Sequence, residues 1–319
     1  MPGSSQDNNK FFRLISAILF AGSVVYLVYE IIRFDQYDDL VAAFKNMGWP
    51  NFSWLLAVLI LLPVNLLTEA LKWRQVSRYL EKQQLSNAFK AVLAGISSGF
   101  VTPNRLGDIV GRMHFLQPEN RKSAVSLAAV NSLTQNLAIL LPGIPLAILF
   151  FMQKQSAVQS GTYILFLIAI LLLFLFTLIV LPVIARRIKS EQIQTYFSGL
   201  TNYTFKDMVV ITGWSLLRFS VFSFQFFLML RFFGVELSLM QAVTCIPVMY
   251  LLVTFTPSFA LSEALIRGSW AVFVIGTFAD NLPGILMAGV GLWFVNVVVP
   301  VVIGAGITLK LRVANKVDD

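Results

Sequence analysis

Residues 162–184 read TYILFLIAILLLFLFTLIVLPVI, a run of 23 residues without a charged side chain. A helix needs about 20 consecutive, mostly apolar residues to cross the hydrocarbon core of a bilayer. The composition of the chain agrees, because 57% of its residues are hydrophobic and only 13% are charged. A soluble domain carries about 25% charged residues. The run therefore predicts a membrane-spanning helix in a membrane protein.

Outward from this run, five more stretches meet the same length requirement. The candidate spans are residues 12–32, 52–72, 123–151, 162–184, 207–230 and 284–309. The first of them lacks a small-residue cleavage signal and is longer than the apolar part of a signal peptide. We therefore expect it to remain in the protein as a span.

Two further apolar regions, residues 88–117 and 239–279, are each interrupted by a Thr-Pro pair. The first break reads TPNRLGD (102–108) and the second begins TPS (256–258). Proline removes a backbone donor and biases the preceding residue away from helix. Because each apolar half is shorter than a full crossing, we predict two re-entrant helical hairpins. Their breaks are assigned to Thr102, Pro103, Gly107, Thr256 and Pro257.

The placement of lysine and arginine orients the chain, since cytoplasmic loops carry an excess of both. With both termini in the cytoplasm, the cytoplasmic segments hold Lys72, Arg74, Arg78, Lys82, Lys90, Arg112, Arg121, Lys122, Arg186, Arg187, Lys189, Lys206, Lys310, Arg312 and Lys316. The outer segments hold only Arg33, Lys45, Lys154 and Arg231. The net charge of +8 then indicates a basic inner rim facing anionic lipid, and no nucleic-acid partner is expected.

These elements form a pattern of span, span, hairpin and span that occurs twice with opposite orientation. The two Thr-Pro pairs lie 154 residues apart, close to half the chain. We predict an all-α polytopic membrane protein with about six full spans plus two re-entrant helical hairpins in an inverted-topology repeat, the architecture of many alternating-access transporters. The predicted parts are repeat one (about 11–152) and repeat two (about 161–312) of one membrane domain (11–312), and cytoplasmic tails at 1–10 and 313–319.

Charged residues lie in the first break and follow the second, and irregular backbone at membrane depth requires a protein-lined or water-filled cavity. We expect Arg105 to contact a lipid phosphate and Asp108 to orient an arginine; Arg112 lies one helical turn after Asp108. Alternatively, these three charges satisfy one another. Glu263 and Arg267 repeat the four-residue spacing. They form either the outer half of the same lipid path or an ion pair that fixes the hairpin.

Polar residues also interrupt the full spans. Asn65 and Glu69 lie one turn apart in the second span, and we expect Glu69 to face the cavity, paired with Arg105 or Arg218. Arg218 is alternatively no more than a counter-ion for Glu69. Polar side chains join helices within membranes, and this role is expected for Asn131, Gln135 and Asn136. The candidates for lipid binding are Arg105, Asp108, Glu69, Arg112, Asn65, Arg218, Glu263 and Arg267.

Catalytic and cofactor motifs are missing from the sequence. The chain has one cysteine, Cys245, and one histidine, His114, which make a poor zinc ligand set. No nucleotide-binding glycine loop and no Ser/His/Asp set stand out. We therefore expect neither a cofactor nor a metal ion nor enzymatic activity.

The stretch NLLTEALKW (65–73), followed by TPNRLGD (102–108) and Arg112, resembles the flippase-like transmembrane family related to the membrane part of lysylphosphatidylglycerol synthases. That family has segments of the form N-x-x-x-E-x-x-K-W and T-P-x-R-x-G-E-x-x-R. Asp108 stands where the family usually has Glu. The family's second motif, P-x-P-G-G-x-G-x-x-E, corresponds to TPSFALSE (256–263), which lacks the glycines.

The resemblance implies a lipid-translocating module of the prokaryotic cytoplasmic membrane. In the synthase relatives this module flips an aminoacylated phospholipid that an attached catalytic domain makes. We expect no such domain in this chain, which ends at Asp319, and a separate lipid-modifying synthase is a possible partner. The expected substrate is a membrane lipid with an anionic or polar headgroup.

Two alternatives to a flippase remain at the level of sequence. One is an intramembrane enzyme that modifies lipid headgroups. The other is a non-transporting assembly partner, in which Arg105 and Glu69 would be sealed in tight mutual pairs.

Overall fold

The computed structural model describes residues 49–100, 102, 105–152, 157–256 and 260–307. Within these residues the regular structure is helical throughout. The α-helices are α1 (Trp49–Ser77), α2 (Leu85–Phe100), α3 (Gly107–Met113), α4 (Ala124–Met152), α5 (Ala157–Arg187), α6 (Glu191–Phe197), α7 (Phe205–Phe232), α8 (Leu239–Phe255), α9 (Ala260–Ile275) and α10 (Leu282–Trp293). The two predicted tails, the first candidate span (12–32), Pro103 and Pro257 lie outside the described residues.

Within the part of the chain that the structure describes, five helical segments are long and apolar enough to cross a membrane. They are Asn51–Ser77, Pro118–Met152, Leu167–Arg187, Phe205–Phe232 and Leu282–Ile307. Each coincides with a span predicted from hydropathy, so those five predictions are confirmed. The chain is therefore a multi-pass membrane protein.

Helix α5 shows why a bilayer must surround the bundle. Leu165, Leu172, Leu173, Phe176 and Ile179 are all exposed along it. A helix that is apolar on every side is stable against lipid, since lipid tails accept apolar surface that water does not. The exposed face of α5 is accordingly a lipid-facing surface.

Helices α1 and α7 pack along each other at the centre of the bundle. The larger apolar core includes Val58 and Leu62 of α1 and Phe226 and Met229 of α7. Helices α4, α8 and α10 pack against this pair, and α9 completes the same core by packing on α8 and α10. A second core joins α1, α2 and α4 to α5 around Trp73, which is fully buried. The centre of the molecule is thus the α1–α7 interface.

The first interrupted region folds back on itself as helices α2 and α3. Their backbones touch: a Cβ on Gly111 would lie 2.3 Å from the carbonyl oxygen of Ala94. The two ends of the region also meet, because the backbone N–H of Gln117 donates to Glu81 at 2.9 Å. The two ends of this region therefore lie next to each other.

The second interrupted region also folds back on itself, as helices α8 and α9. Its ends meet where the side-chain amide of Asn281 donates to the carbonyl of Phe233 at 3.0 Å. Helix α8 has 17 residues and α9 has 16, which at about 1.5 Å per residue gives lengths of about 25 Å. The hydrocarbon core is about 30 Å thick. Neither helix is as long as a full crossing.

A polar cluster ties α1 to α7 at one end of the bundle. Arg78 forms an ion pair with Asp207, which also accepts a hydrogen bond from the hydroxyl of Tyr79 at 3.0 Å. The buried hydroxyl of Tyr203 donates to the carbonyl of Val76. Burial raises the pKa of Tyr203, so this hydroxyl keeps its proton and remains a donor.

Candidate functional site

A cavity of about 630 Å³ lies between the central helices and the two interrupted regions. Its walls are Asn65, Arg105, Gln135, Asn136, Ile139, Arg218, Phe222, Tyr250, Val253, Thr254, Phe255, Thr256, Glu263, Arg267, Trp293, Asn296 and Val297. Polar and charged side chains share the wall with apolar ones such as Ile139, Phe222 and Val297. Ligand pockets commonly combine an apolar wall with a few placed polar groups in this way.

Arg105 occupies an unusual backbone position within the first break. Its φ of 57° is the single positive value for a non-glycine residue among the described residues. A side chain in this conformation costs of the order of 1–3 kcal/mol unless the surroundings enforce it. The guanidinium of Arg105 donates to Glu263 at 2.6 Å, and 40% of the side chain is exposed. With this backbone conformation, the Arg105 side chain extends across the cavity to the second interrupted region.

Glu263 lies between two arginines. Its second carboxylate oxygen accepts from Arg267 at 2.6 Å, and the Arg267 guanidinium stands 5.7 Å from the ring centre of Tyr250. The ion pair of Glu263 and Arg267, one of the two alternatives left open by the sequence, is present, and the lipid path stays a prediction. The interrupted regions meet at this arginine–glutamate–arginine set, 158 residues apart along the chain.

Glu69 is the centre of a second, closed cluster. Its carboxylate pairs with Arg112 at 2.8 Å and with Arg218 at 3.0 Å, and it accepts from the amide of Asn131 at 3.0 Å. Lys72 lies 3.8 Å away. Glu69 is 1% exposed. A carboxylate buried this deeply is stable only because several donors share its charge.

Arg112 extends the closed cluster toward the first break. Its Nε donates to Asp108 at 2.8 Å, so the predicted shared helix face is confirmed. The guanidinium also covers the ring of Trp73 at 4.9 Å, a favourable cation–π distance. The shorter acid at position 108 therefore reaches its arginine.

A hydrogen-bond relay beside the cavity joins α1 and α7 to the turn that follows α10. Gln225 donates to the carbonyl of Val58 at 3.0 Å, so its amide oxygen points the other way. That oxygen accepts from Asn296 at 3.1 Å and from Asn65 at 3.3 Å. The oxygen of Asn65 in turn accepts from Arg218 at 3.1 Å.

Asn296 reaches this relay from a π-helical turn, Phe294–Val298. Such turns insert one residue into a helix and occur often at functional sites. Gln225 and Asn296 were missed by reasoning from the sequence. A single amide within an apolar span was the available signal in both cases.

The charges on the cavity wall do not cancel. Arg105, Arg218 and Arg267 face the space together with one carboxylate, Glu263. Positive charges exceed negative ones by two. In a low-dielectric bundle such an excess attracts anions strongly.

A family model described as the lysylphosphatidylglycerol synthase transmembrane region matches residues 14–262. The chain belongs to this family. No curated protein and no solved structure matches the chain. The suspected relation to the lysylphosphatidylglycerol synthase membrane domain is thereby confirmed, and it links this membrane protein to lipids.

The structure separates the eight candidate lipid-binding residues into two groups. Asn65, Arg105, Arg218, Glu263 and Arg267 line the cavity. The other three candidates, Glu69, Asp108 and Arg112, lie in the closed cluster. Lipid binding by either group stays a prediction.

Two details of the expected pairing differ from the structure. Glu69 does not face the cavity, because Arg218 lies between Glu69 and that space. Of the two arginines expected as partners of Glu69, Arg218 pairs with it at 3.0 Å, whereas Arg105 pairs with Glu263. Both differences have the same cause. These contacts join residues that are far apart along the chain, and a local sequence motif does not show which distant residue lies opposite.

The described break residues have structural roles. The hydroxyl of Thr102 accepts from the backbone N–H of Gly107 at 2.7 Å. The hydroxyl of Thr256 accepts from the indole of Trp270 at 2.8 Å. Gly107 has no room for a side chain, as a Cβ there would lie 2.3 Å from the carbonyl oxygen of Ser98.

Proposed function

We propose that the protein translocates a polar or anionic lipid between the leaflets of a membrane. The meeting of the two interrupted regions, through Arg105 and Glu263 at 2.6 Å, carries this proposal. It puts ionised side chains in a cavity between helices that are too short to cross a bilayer. A headgroup needs such a polar place on its way between leaflets, because bare hydrocarbon excludes charge.

In this proposal both interrupted regions are re-entrant hairpins of an inverted repeat. Each region has an acid and an arginine four residues apart after its break: Asp108 with Arg112, and Glu263 with Arg267. The ends of each region meet, while Arg105 and Glu263 meet near the breaks. Two hairpins inserted from opposite leaflets would produce this arrangement.

The proposed chemistry is binding without bond breakage. Arginine binds phosphate through charge-assisted hydrogen bonds, and three arginines face the cavity. The proposal accordingly treats the chain as a transporter and not as an enzyme, in a prokaryotic cytoplasmic membrane with both termini inside. A separate synthase would supply or modify the lipid.

One observation favours a second function, that of a non-transporting assembly partner. Glu69 is sealed among Arg112, Arg218 and Lys72, as a purely structural cluster would be. The exposure of Arg105 favours transport over this alternative, since 40% of its side chain is open beside a large cavity.

Lipid movement in reconstituted vesicles tests the proposal. Vesicles containing the full chain and a fluorescent phosphatidylglycerol are treated with an impermeant quencher, which reports transbilayer movement. Arg105→Gln should slow movement by about tenfold or more, because it removes a charge-assisted hydrogen bond. Arg187→Gln is the matched control, since Arg187 is exposed and outside the cavity, and its rate should stay normal.

The proposal fails if vesicles with protein move no lipid faster than empty vesicles, across several anionic and polar headgroups. It also fails if both arginine variants retain the full rate. Conversion of the labelled lipid into another lipid would support the enzymatic alternative.

A further inference from the structure

The charge of the cavity wall restricts the headgroup that the proposed transporter accepts. The three arginines and one glutamate leave two positive charges in excess. Glu263 is shared by Arg105 and Arg267, and Glu69, the partner of Arg218, is shared with Arg112. An anionic phosphate stabilises this wall, whereas an amine in the headgroup adds a further cation to it.

The wall also offers hydrogen bonds beyond those that a phosphate needs. Asn136 lines the cavity, is half-buried and makes no hydrogen bond with the described residues. Its amide presents donors and an acceptor together. A phosphodiester at neutral pH only accepts hydrogen bonds, so it leaves the Asn136 oxygen without a donor.

One kind of ligand satisfies both sets of observations. A hydroxyl group donates and accepts, and it brings no charge. An ammonium group also donates, but it would oppose the excess of positive charge. The chemistry that fits is a single phosphate next to hydroxyl groups.

We propose that the cavity selects a phosphodiester lipid with a hydroxyl-rich, amine-free headgroup, such as a polyol or sugar, and discriminates against aminoacylated phospholipid. This inference rests on the proposed function for the location of the site. Its test is a binding measurement, which does not depend on transport.

Native mass spectrometry of the full chain in detergent measures that binding. The probes are phosphatidylinositol, phosphatidylmethanol (the same charge without hydroxyl groups) and lysylphosphatidylglycerol (a net cation). We expect phosphatidylinositol to bind about tenfold or more tightly than lysylphosphatidylglycerol, and phosphatidylmethanol to fall between them. Equal or tighter binding of lysylphosphatidylglycerol would overturn the inference.

A single variant tests recognition of the hydroxyl groups. Asn136→Leu should weaken the binding of phosphatidylinositol by about tenfold and change the binding of phosphatidylmethanol by less than about twofold. Thr177→Val is the control, because Thr177 is half-buried on α5, is not part of the cavity wall and donates its hydroxyl to the carbonyl of Leu173 in the same helix. An equal loss for both lipids in Asn136→Leu would contradict a role in hydroxyl recognition.

Two further results distinguish the possible failures. Glycerophosphoinositol, the headgroup without acyl chains, should bind at least about tenfold more weakly than the lipid, since acyl burial contributes to affinity; equal binding would indicate a soluble ligand and overturn the lipid assignment. Selective binding without transport would support this inference and contradict the proposed function. Transport of every headgroup at one rate, without selective binding, would support the proposed function and contradict this inference.

Discussion

At the scale of single residues, Glu69 lies buried among several cations. It is 1% exposed, and three cations, Lys72, Arg112 and Arg218, lie within 4 Å of its carboxylate. Removing one partner of a buried ion pair leaves the others uncompensated in a low-dielectric interior. The stability of the α1–α4–α7 contact therefore depends on one negative charge.

Glu69→Gln should destabilise the protein by about 3–5 kcal/mol, because the three cations would lose their shared carboxylate. Thermal unfolding in detergent, followed by circular dichroism, measures the change. Glu191→Gln is the matched control, as Glu191 is exposed at the start of α6, and its unfolding midpoint should stay within error. An unchanged midpoint for Glu69→Gln would show that the cluster does not hold the fold.

At the scale of elements, the shortness of α3 is compensated by close packing. Its seven residues place Gly107 and Gly111 directly against the backbone of α2. Without side chains at these positions the two backbones approach, as small residues permit in membrane helices. This contact holds Asp108 and Arg112 in position beside Glu69.

Gly111→Ala should separate α2 from α3, since the new Cβ would lie 2.3 Å from the carbonyl oxygen of Ala94. We expect the free energy of unfolding, measured by thermal unfolding in detergent, to fall by about 1–3 kcal/mol, which is typical of overpacking. Gly213→Ala is the matched control, because Gly213 is exposed in α7 with nothing within 4 Å of its Cβ position. That variant should be neutral or gain up to about 1 kcal/mol of helix propensity. Equal unfolding midpoints for Gly111→Ala and Gly213→Ala would argue against close α2–α3 packing.

At the scale of the whole molecule, the arrangement of the interrupted regions determines the topology. Hydrogen bonds join Glu81 to Gln117 and Phe233 to Asn281. The two ends of each region thus lie side by side. Re-entrant hairpins therefore require that both ends of a region face the same compartment.

Cysteine labelling tests this arrangement in a Cys245→Ala background, because Cys245 is the sole cysteine. Single cysteines at the exposed positions Lys82, Gln117, Glu236 and Asp280 are treated with an impermeant maleimide in sealed cells. We expect labelling at Glu236 and Asp280 only, since lysine-rich and arginine-rich segments stay inside. Labelling of all four in permeabilised cells is the control. Labelling on opposite sides within either pair would disprove re-entry of that region.

The sequence by itself determined the membrane class, five of the spans and the location of both breaks. Each depends on local composition: about 20 apolar residues make a span, and proline with charge interrupts one. The pairs Asp108–Arg112 and Glu263–Arg267 were predictable for the same reason, as a helix brings residues four apart together.

Only the tertiary structure decided which side chains face the cavity and which are sealed. Arg105 meets Glu263 across 158 residues of chain, and Asn65 meets Gln225 across 160. Hydropathy and spacing contain no information on such contacts, because they arise from how helices pack and not from the order of residues within one helix. Glu69 was therefore predicted as a charge at membrane depth, while its burial behind Arg218 followed from the packing of α1 against α7.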